Sequence, residues 1–268
     1  MERLDKLLTH RGFFHSREKA QDAIAHQTVK VNGLLVDKPS KLVDEEVDIE
    51  VIDIFNRYVS RGGLKLEKAI ADFGLDFMGK RVLDLGASTG GFTDCTLRHG
   101  ASICYCVDVG TNQLHKTLQN HPHVKSIEQK DFRDLKQEDI DNLPVDYIVA
   151  DLSFISLTFL FPHARPFLKE YGEMLLLIKP QFEAGASFLN KNGVVTDEKA
   201  YKIAIQKVVS EALNHGFYLQ NLTISTLFEV NKNVEFLALF SLRSSSFNVK
   251  YPQLLEEVKN LRKSLKKK

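Results

Sequence analysis

Apolar residues follow two rhythms along this chain. Over roughly the first 55 positions they come in short bursts. Leu4, Leu7 and Leu8 recur at i, i+3 and i+4, which predicts a short amphipathic helix ended by Gly12. Ser16 is placed to cap a second helix, with Glu18 near its positive end and Ala20, Ala23 and Ile24 as its apolar face. Residues 29–36 read as two strand runs split by Asn32-Gly33, the strongest short hairpin signal. Residues 47–51 alternate as a further strand.

From about residue 60 the pattern changes to apolar strands alternating with helical stretches. Strands are predicted at 81–86, 102–108, 145–151 and 173–179, and helices at, for example, 92–99 and 158–169. This alternation predicts a parallel, doubly wound α/β sheet. Residues 218–227 and 234–241 follow each other without room for a helix, so they read as an antiparallel hairpin closing the sheet. The tail from Lys250 reads as a surface helix ending in a frayed lysine run.

Composition changes this picture little. Lys plus Arg is 36 and Asp plus Glu is 35, and 43% of residues are apolar, so the chain is an ordinary globular one and carries no overall basic coat. No purely apolar run is longer than that of residues 174–178, far short of the ~20 residues that span a bilayer. The first residues lack the apolar core of a secretion signal. Cys95, Cys104 and Cys106 form no CxxC pair and read as small core hydrophobes in a reducing cytosol. Charge is uneven, however: residues 1–41 hold eight basic against five acidic side chains, a pattern that suits either a solvated face or a phosphate-binding one.

The chemistry gathers at strand ends. Asp84, Asp108, Asp151 and Lys179 stand at the carboxyl ends of four predicted strands, where open α/β sheets bind ligands. Asp84 leads into Leu85-Gly86-Ala87-Ser88-Thr89-Gly90-Gly91, whose glycines allow a sharp turn close to a ligand. Asp108, 24 residues after Asp84, is placed for ribose hydroxyls. A dinucleotide fingerprint, GxGxxG, does not match. A hydrolase nucleophile elbow, GxSxG, does match at Gly86–Gly90, but it leaves both aspartates unexplained. Nor does it find a triad histidine, because His163 and His215 lie in ordinary helical sequence. An S-adenosylmethionine site accounts for all these residues, with the glycine loop at the amino-acid part, Asp108 at the ribose and Asp131-Phe132 near the adenine. His121 and His123 read as a loop pair, and no metal site is expected.

Six stretches then occur in one order: Tyr58-Val59-Ser60-Arg61-Gly62-Gly63-x-Lys65-Leu66, the run from Leu83 to Asp94, Val107-Asp108-Val109-Gly110, Asp151-Leu152-Ser153-Phe154-Ile155-Ser156-Leu157, Ile178-Lys179-Pro180-Gln181-Phe182-Glu183, and Asn233-Val234-Glu235-Phe236-Leu237. Together they resemble the TlyA family of ribosomal RNA 2′-O-ribose methyltransferases, historically also called hemolysins. The resemblance implies an S4 RNA-binding domain over 1–55, a linker over 56–62, an FtsJ-like methyltransferase domain over 63–245 and a basic tail over 246–268. It implies a Rossmann-like class I methyltransferase fold with a mostly parallel seven-stranded sheet, preceded by a small α+β domain.

The resemblance further implies S-adenosylmethionine as cofactor, bound by Asp84, Gly86, Ala87, Ser88, Thr89, Gly90, Gly91, Phe92, Asp108, Val109, Asp131 and Phe132. It implies a catalytic set of Lys65, Asp151, Lys179 and Glu235. Strand position alone marks Asp151 and Lys179; Lys65 and Glu235 rest on the family. A lysine pair in which each depresses the other's pKa, opposed by two carboxylates, suits activation of a ribose hydroxyl. Lys179 is then expected to accept the proton or stabilise the alkoxide, with Lys65 assisting. On the S4-like part, Arg3, Lys6, Arg11, Ser16, Arg17, Lys19, Lys30 and Asn32 are expected to contact RNA, mostly at phosphates. The implied partners are ribosomal RNA or ribosomal subunits in the cytoplasm, with cytidines of the small-subunit RNA, the large-subunit RNA or both as targets. A non-catalytic RNA-binding or ribosome-assembly factor and a membrane-active hemolysin are the other classes such a chain could fill.

Overall fold

The computed structural model describes residues 1–14, 16–25, 28–51, 57–195, 197–225 and 233–266, without the side chains of 22 and 264–266. The chain divides into two units, Met1–Arg57 and Tyr58–Lys268. In the first, β1 (Glu2–Arg3) leads straight into α1 (Leu4–His10), and α2 (Arg17–Ala25) follows. Lys19 donates its N–H to Ser16 Oγ at 3.3 Å, so Ser16 does cap α2. Asn32 and Gly33, both at positive φ, turn β2 (Val29–Val31) into β3 (Leu34–Leu35). Then come β4 (Leu42–Val43), paired with β1, and β5 (Ile49–Val51), paired with β2. Leu4, Leu7, Leu8, Ala20, Ala23, Ile24, Val29 and Val31 form the centre of this unit's core.

The second unit is built on seven strands. After α3 (Gly62–Phe73) come β6 (Arg81–Leu85), α4 (Gly91–Arg98), β7 (Ile103–Val107), α5 (Lys116–Gln119), β8 (Val124–Ile127) and β9 (Val145–Ala150). These are followed by α6 (Phe161–Ala164), β10 (Leu168–Ile178), α7 (Pro180–Glu183), α8 (Lys199–Asn214), β11 (Tyr218–Ile224), β12 (Phe236–Ser241) and α9 (Tyr251–Lys266). The spatial order is β11-β12-β10-β9-β6-β7-β8. Strands β6 to β10 run parallel; beyond β10, β12 runs antiparallel to it, and β11 pairs antiparallel with β12 and so shares the direction of the other five. The order reverses between β6 and β9, and a ligand crevice is expected at that switch point.

Alternation along the strands sorts side chains onto two faces. Leu83, Leu85, Tyr105, Val107, Ile148, Ala150, Leu176 and Ile178 join one core with Ala204, Val208, Leu254 and Val258 from α8 and α9. The C-terminal helix, expected from Lys250 as a surface helix, packs on this core through Leu254 and Val258. All three cysteines are buried, Cys95 on α4 and Cys104 and Cys106 on β7.

Three expectations change. The single helix expected over 158–169 is broken into a 3₁₀ turn (Leu157–Phe159), α6 and a second 3₁₀ turn (Arg165–Phe167), with Leu168 already in β10. Pro162 and Pro166 stand inside that stretch and supply no N–H for a continuous helix. The strand β8 escaped the sequence pattern; its residues are only partly buried and do not alternate in hydrophobicity. Of the expected linker, Tyr58 is 4% exposed and Val59 donates its N–H to Asp94 at 2.8 Å, so this stretch is packed into the second unit. Asn56 of that linker and the 226–227 end of the expected hairpin strand lie outside the described residues.

Candidate active site

Two adjoining cavities open at the carboxyl ends of β6, β7 and β9, of about 540 and 170 Å³. Gly86, Ser88, Asp151 and Ser153 line both. The larger is completed by Asp108, Val109, Asp131 and Phe132, the smaller by Asp84, Ala87, Thr89, Gly91, Phe92 and Lys179.

The glycine loop is folded by its own neighbours. Asp108 accepts the N–H of Ser88 at 2.8 Å with one carboxylate oxygen and that of Gly110 at 2.8 Å with the other. These bonds tie the loop after β6 to the end of β7. Ser88 takes φ +49° and Gly90 takes φ +88°, the left-handed region that favours glycine. Gly90 lines neither cavity; a Cβ there would stand 2.3 Å from Leu118 Cδ1. Gly91 lets the packed Ser60 approach the start of α4, because a Cβ would stand 2.2 Å from Ser60 Oγ.

Asp84 is placed differently from the sequence expectation. It shares strand parity with Val82, so its side chain turns into the sheet on the α4 side and is 1% exposed. It accepts Thr93 N–H at 3.0 Å and Thr93 Oγ1 at 2.6 Å. Burial pushes its pKa up to about 7, against the two Thr93 bonds, with the nearby Asp151 and Asp108 charges adding to the rise. Asp131 caps the 3₁₀ turn Phe132–Asp134 and forms an ion pair with Arg133 at 2.6 Å. The Arg133 bond holds its carboxyl below the usual range.

The four charged residues implied as catalytic meet around one carboxylate. Asp151, just beyond β9, has Oδ1 at 2.6 Å from Lys179 Nζ and Oδ2 at 3.4 Å from Lys65 Nζ. Lys65, in the first turn of α3, also donates to Glu235 Oε2 at 2.7 Å, and Glu235 precedes β12. Lys179, at the end of β10, donates to Ser153 Oγ at 2.7 Å. All four side chains are between 10% and 23% exposed. Burial works against the charged form of Lys65, but Asp151 and Glu235 outweigh it and raise its pKa. The expected opposition of the two carboxylates to a depressed lysine pKa is seen at Lys65, where Asp151 and Glu235 prevail over burial. Burial alone would raise Asp151, yet Lys65 and Lys179 hold it below the usual range.

Some site groups went unread in the sequence. Ser153 shares Lys179 with Asp151, Thr93 satisfies Asp84, and Asp94 holds Val59 and Arg98. Phe154, at φ +65° and 93% exposed, lines the larger cavity. Each lies inside a quoted motif, but its role depends on contacts with chain far away in sequence.

In the first unit, Asp5 is fully buried and gathers Arg3 at 3.0 Å, Arg17 at 3.0 Å and Gln21 at 2.6 Å. These partners, led by Arg3, pull its pKa far down against burial. Arg3 lies in β1, ahead of the first helix, and both guanidinium groups remain partly exposed. Lys6 and Lys19 are exposed. Arg11 donates to the carbonyls of Val47 and Glu45, Lys30 pairs with Glu50 at 3.0 Å, and Asn32 Oδ1 accepts Asp48 N–H. With Ser16 capping α2, these last four residues make internal contacts that brace the unit.

Residues 58–242 match the FtsJ-like methyltransferase family and residues 2–49 match the S4 domain. Hemolysin A of Brachyspira hyodysenteriae is 40% identical over 238 residues, covering 89% of this chain and 99% of that protein. The 16S/23S rRNA (cytidine-2′-O)-methyltransferase TlyA of Mycobacterium tuberculosis is 36% identical over 235 residues, 87% of each chain. A solved structure from Streptococcus thermophilus that bears the name hemolysin superposes with a TM-score of 0.78 at 35% identity, covering 100% of this chain and 98% of that one.

Proposed function

Since the chain belongs to the FtsJ-like methyltransferase family and carries an S4 domain ahead of it, we propose that it transfers a methyl group from S-adenosylmethionine to the 2′-hydroxyl of a ribose in ribosomal RNA, on cytidine. The observation that carries this reading is the Lys65–Asp151–Lys179 bridge with Glu235 behind it, beside the glycine-loop cleft.

The cleft suits the cofactor. Its 540 Å³ lies within the roughly 300–1,000 Å³ of small-molecule sites. Asp108 offers carboxylate oxygens for ribose hydroxyls, Phe132 and Val109 offer apolar walls, and the loop 86–91 offers close backbone. When bound, S-adenosylmethionine supplies an electrophilic methyl group on a positively charged sulfur. The protein's own task is to prepare the acceptor oxygen. Lys65 is held charged by two carboxylates and stabilises negative charge as it develops on that oxygen. Lys179, with one carboxylate and a neutral hydroxyl as partners, is assigned the proton. Asp151 orients both amines. The remaining rate enhancement comes from alignment of donor and acceptor. On the S4 unit, Arg3, Arg17, Lys6 and Lys19 are the side chains assigned to RNA phosphates.

The name hemolysin among the relatives raises a membrane-active reading. Among the described residues, no helix is long and apolar enough to cross a membrane. The deciding experiment uses tritiated S-adenosylmethionine with isolated 30S subunits, 50S subunits and naked ribosomal RNA, and Lys179→Met as control. Label on a cytidine 2′-oxygen, lost in the variant, is expected. Absence of label on every substrate, with cofactor binding intact, would favour an assembly factor, and rapid leakage of liposomes at low protein concentration would favour membrane activity.

A further inference from the structure

Glu183 is a charged group that the transfer chemistry does not use. It closes α7, four residues after Lys179, and its side chain is 1% exposed. Buried carboxylates need partners, and those of Glu183 lie 26 and 27 residues back in sequence. Oε1 accepts Leu157 N–H at 2.7 Å and Oε2 accepts Ser156 Oγ at 2.5 Å. Lys207 of α8 stands 3.3 Å from Oε2 and donates to Ser156 Oγ at 3.2 Å.

The other end of that loop is held from the same short segment. Lys179 contacts Asp151 and donates to Ser153, and the Phe182 ring lies 5.4 Å from that of Phe154. Between the two anchors sits Phe154 at φ +65°, a conformation that bulky residues avoid unless their flanks impose it. We propose that Glu183 is a positioning residue for methyl transfer: by fixing Ser156 and Leu157 it holds the loop 152–157 in its left-handed turn and so keeps Ser153 Oγ on Lys179. This rests on the role given to Lys179 above.

The test compares full-length wild type with Glu183→Ala, Glu183→Gln, Ser153→Ala and the Glu183→Ala/Ser153→Ala double variant. Expected for Glu183→Ala is a kcat about tenfold lower, with the KM and Kd for S-adenosylmethionine within twofold of wild type. Glu183→Gln, which retains an acceptor for Leu157 N–H, recovers most of that loss. In the Ser153→Ala background, Glu183→Ala costs less than a further twofold. Multiplying losses in the double variant, or an unchanged kcat, overturn the proposal. So does a parallel fall of kcat and cofactor affinity that glutamine does not restore. If Glu183→Ala fails to fold, Glu183→Asp, which keeps the charge but withdraws it by one methylene, carries the same expectations. Hydrogen exchange at the Leu157 amide needs no RNA: faster exchange is expected in Glu183→Ala, and unchanged protection sinks the anchor whatever the activity. A wild-type chain that transfers no methyl group overturns the methyltransferase reading instead, so the two failures are distinguishable.

Discussion

Replacing Asp151 by Asn keeps the shape of the side chain and removes the charge that joins both lysines. Two contacts change, one at 2.6 Å to Lys179 and one at 3.4 Å to Lys65. At an effective dielectric near 20, each such contact is worth roughly 5–6 kcal/mol of Coulomb attraction before desolvation is subtracted. Breaking a buried pair by removing one partner typically costs about 3–5 kcal/mol, because a charge is left uncompensated. Lys65 retains Glu235, so most of the loss falls on Lys179, whose other described partners, Ser153 and the Phe182 ring, are uncharged. The expected destabilisation is therefore about 3 kcal/mol, which lowers Tm by about 6–12 °C for a unit of this size. The sign with pH is fixed by the lowered pKa of Asp151. The native carboxylate contributes fully above its unfolded pKa near 4, and the contribution fades as pH falls through the folded value. The Tm gap between wild type and variant is thus expected at pH 7 and narrows below about pH 4. Activity is expected to fall about 10²–10³-fold, as when a reacting group loses its alignment. Scanning calorimetry across pH, with single-turnover transfer of labelled methyl, reads both. A kcat within threefold of wild type, or a Tm gap that widens on acidification, would refute the argument.

Four further outcomes are expected. Asp108→Ala removes a charged acceptor worth about 1.5–3 kcal/mol per bond from Ser88 and Gly110 and from the proposed ribose site; titration calorimetry should show S-adenosylmethionine binding at least tenfold more weakly, and unchanged affinity would remove the ribose assignment. Asp84, with a folded pKa of about 7, keeps a proton that the unfolded chain has lost between about pH 4 and 7, so it lowers stability as pH rises through that window, by at most about 4 kcal/mol at 1.36 kcal/mol per unit; Asp84→Asn should flatten the Tm profile between pH 5 and 8, and equal slopes would contradict the burial argument. Gly90→Ala places a Cβ at φ +88° against Leu118, so about 2 kcal/mol of stability should be lost, read as a Tm lower by about 4–8 °C. Removing residues 1–57 should leave the second unit folded and binding S-adenosylmethionine within twofold, while affinity for ribosomal RNA falls at least tenfold; undiminished RNA binding would release the S4 unit from its role.

Much of this protein is written locally. Near-continuous apolar runs, β6, β7, β9 and β10 among them, declare parallel strands because a sheet covered on both faces buries successive residues. Asn32-Gly33 declares its hairpin because few other residues adopt positive φ cheaply. Asp108, Asp151 and Lys179 were visible because charge at a strand's carboxyl end is unusual unless a ligand or a partner meets it there. The strand β8, short and only partly buried, has no such rhythm to read, and Pro162 and Pro166 break the helix that apolar spacing alone predicts over 158–169.

What the sequence could not decide is what each charge touches. The bridge from Lys65 to Glu235 spans 170 positions and exists because β12 is inserted beside β10, bringing its entry next to the first turn of α3. Asp84 looked like its neighbours at the strand ends, but strand parity turned it into the interior, where burial and Thr93 govern its proton. Lys65 and Lys179 are alike as residues; the carboxylates within reach, two for Lys65 and one for Lys179, set them apart. A local pattern fixes which elements form and which side of each is buried. Desolvation and Coulomb forces act over a few ångströms in space, whatever the separation along the chain, so the chemistry of this site follows from tertiary structure.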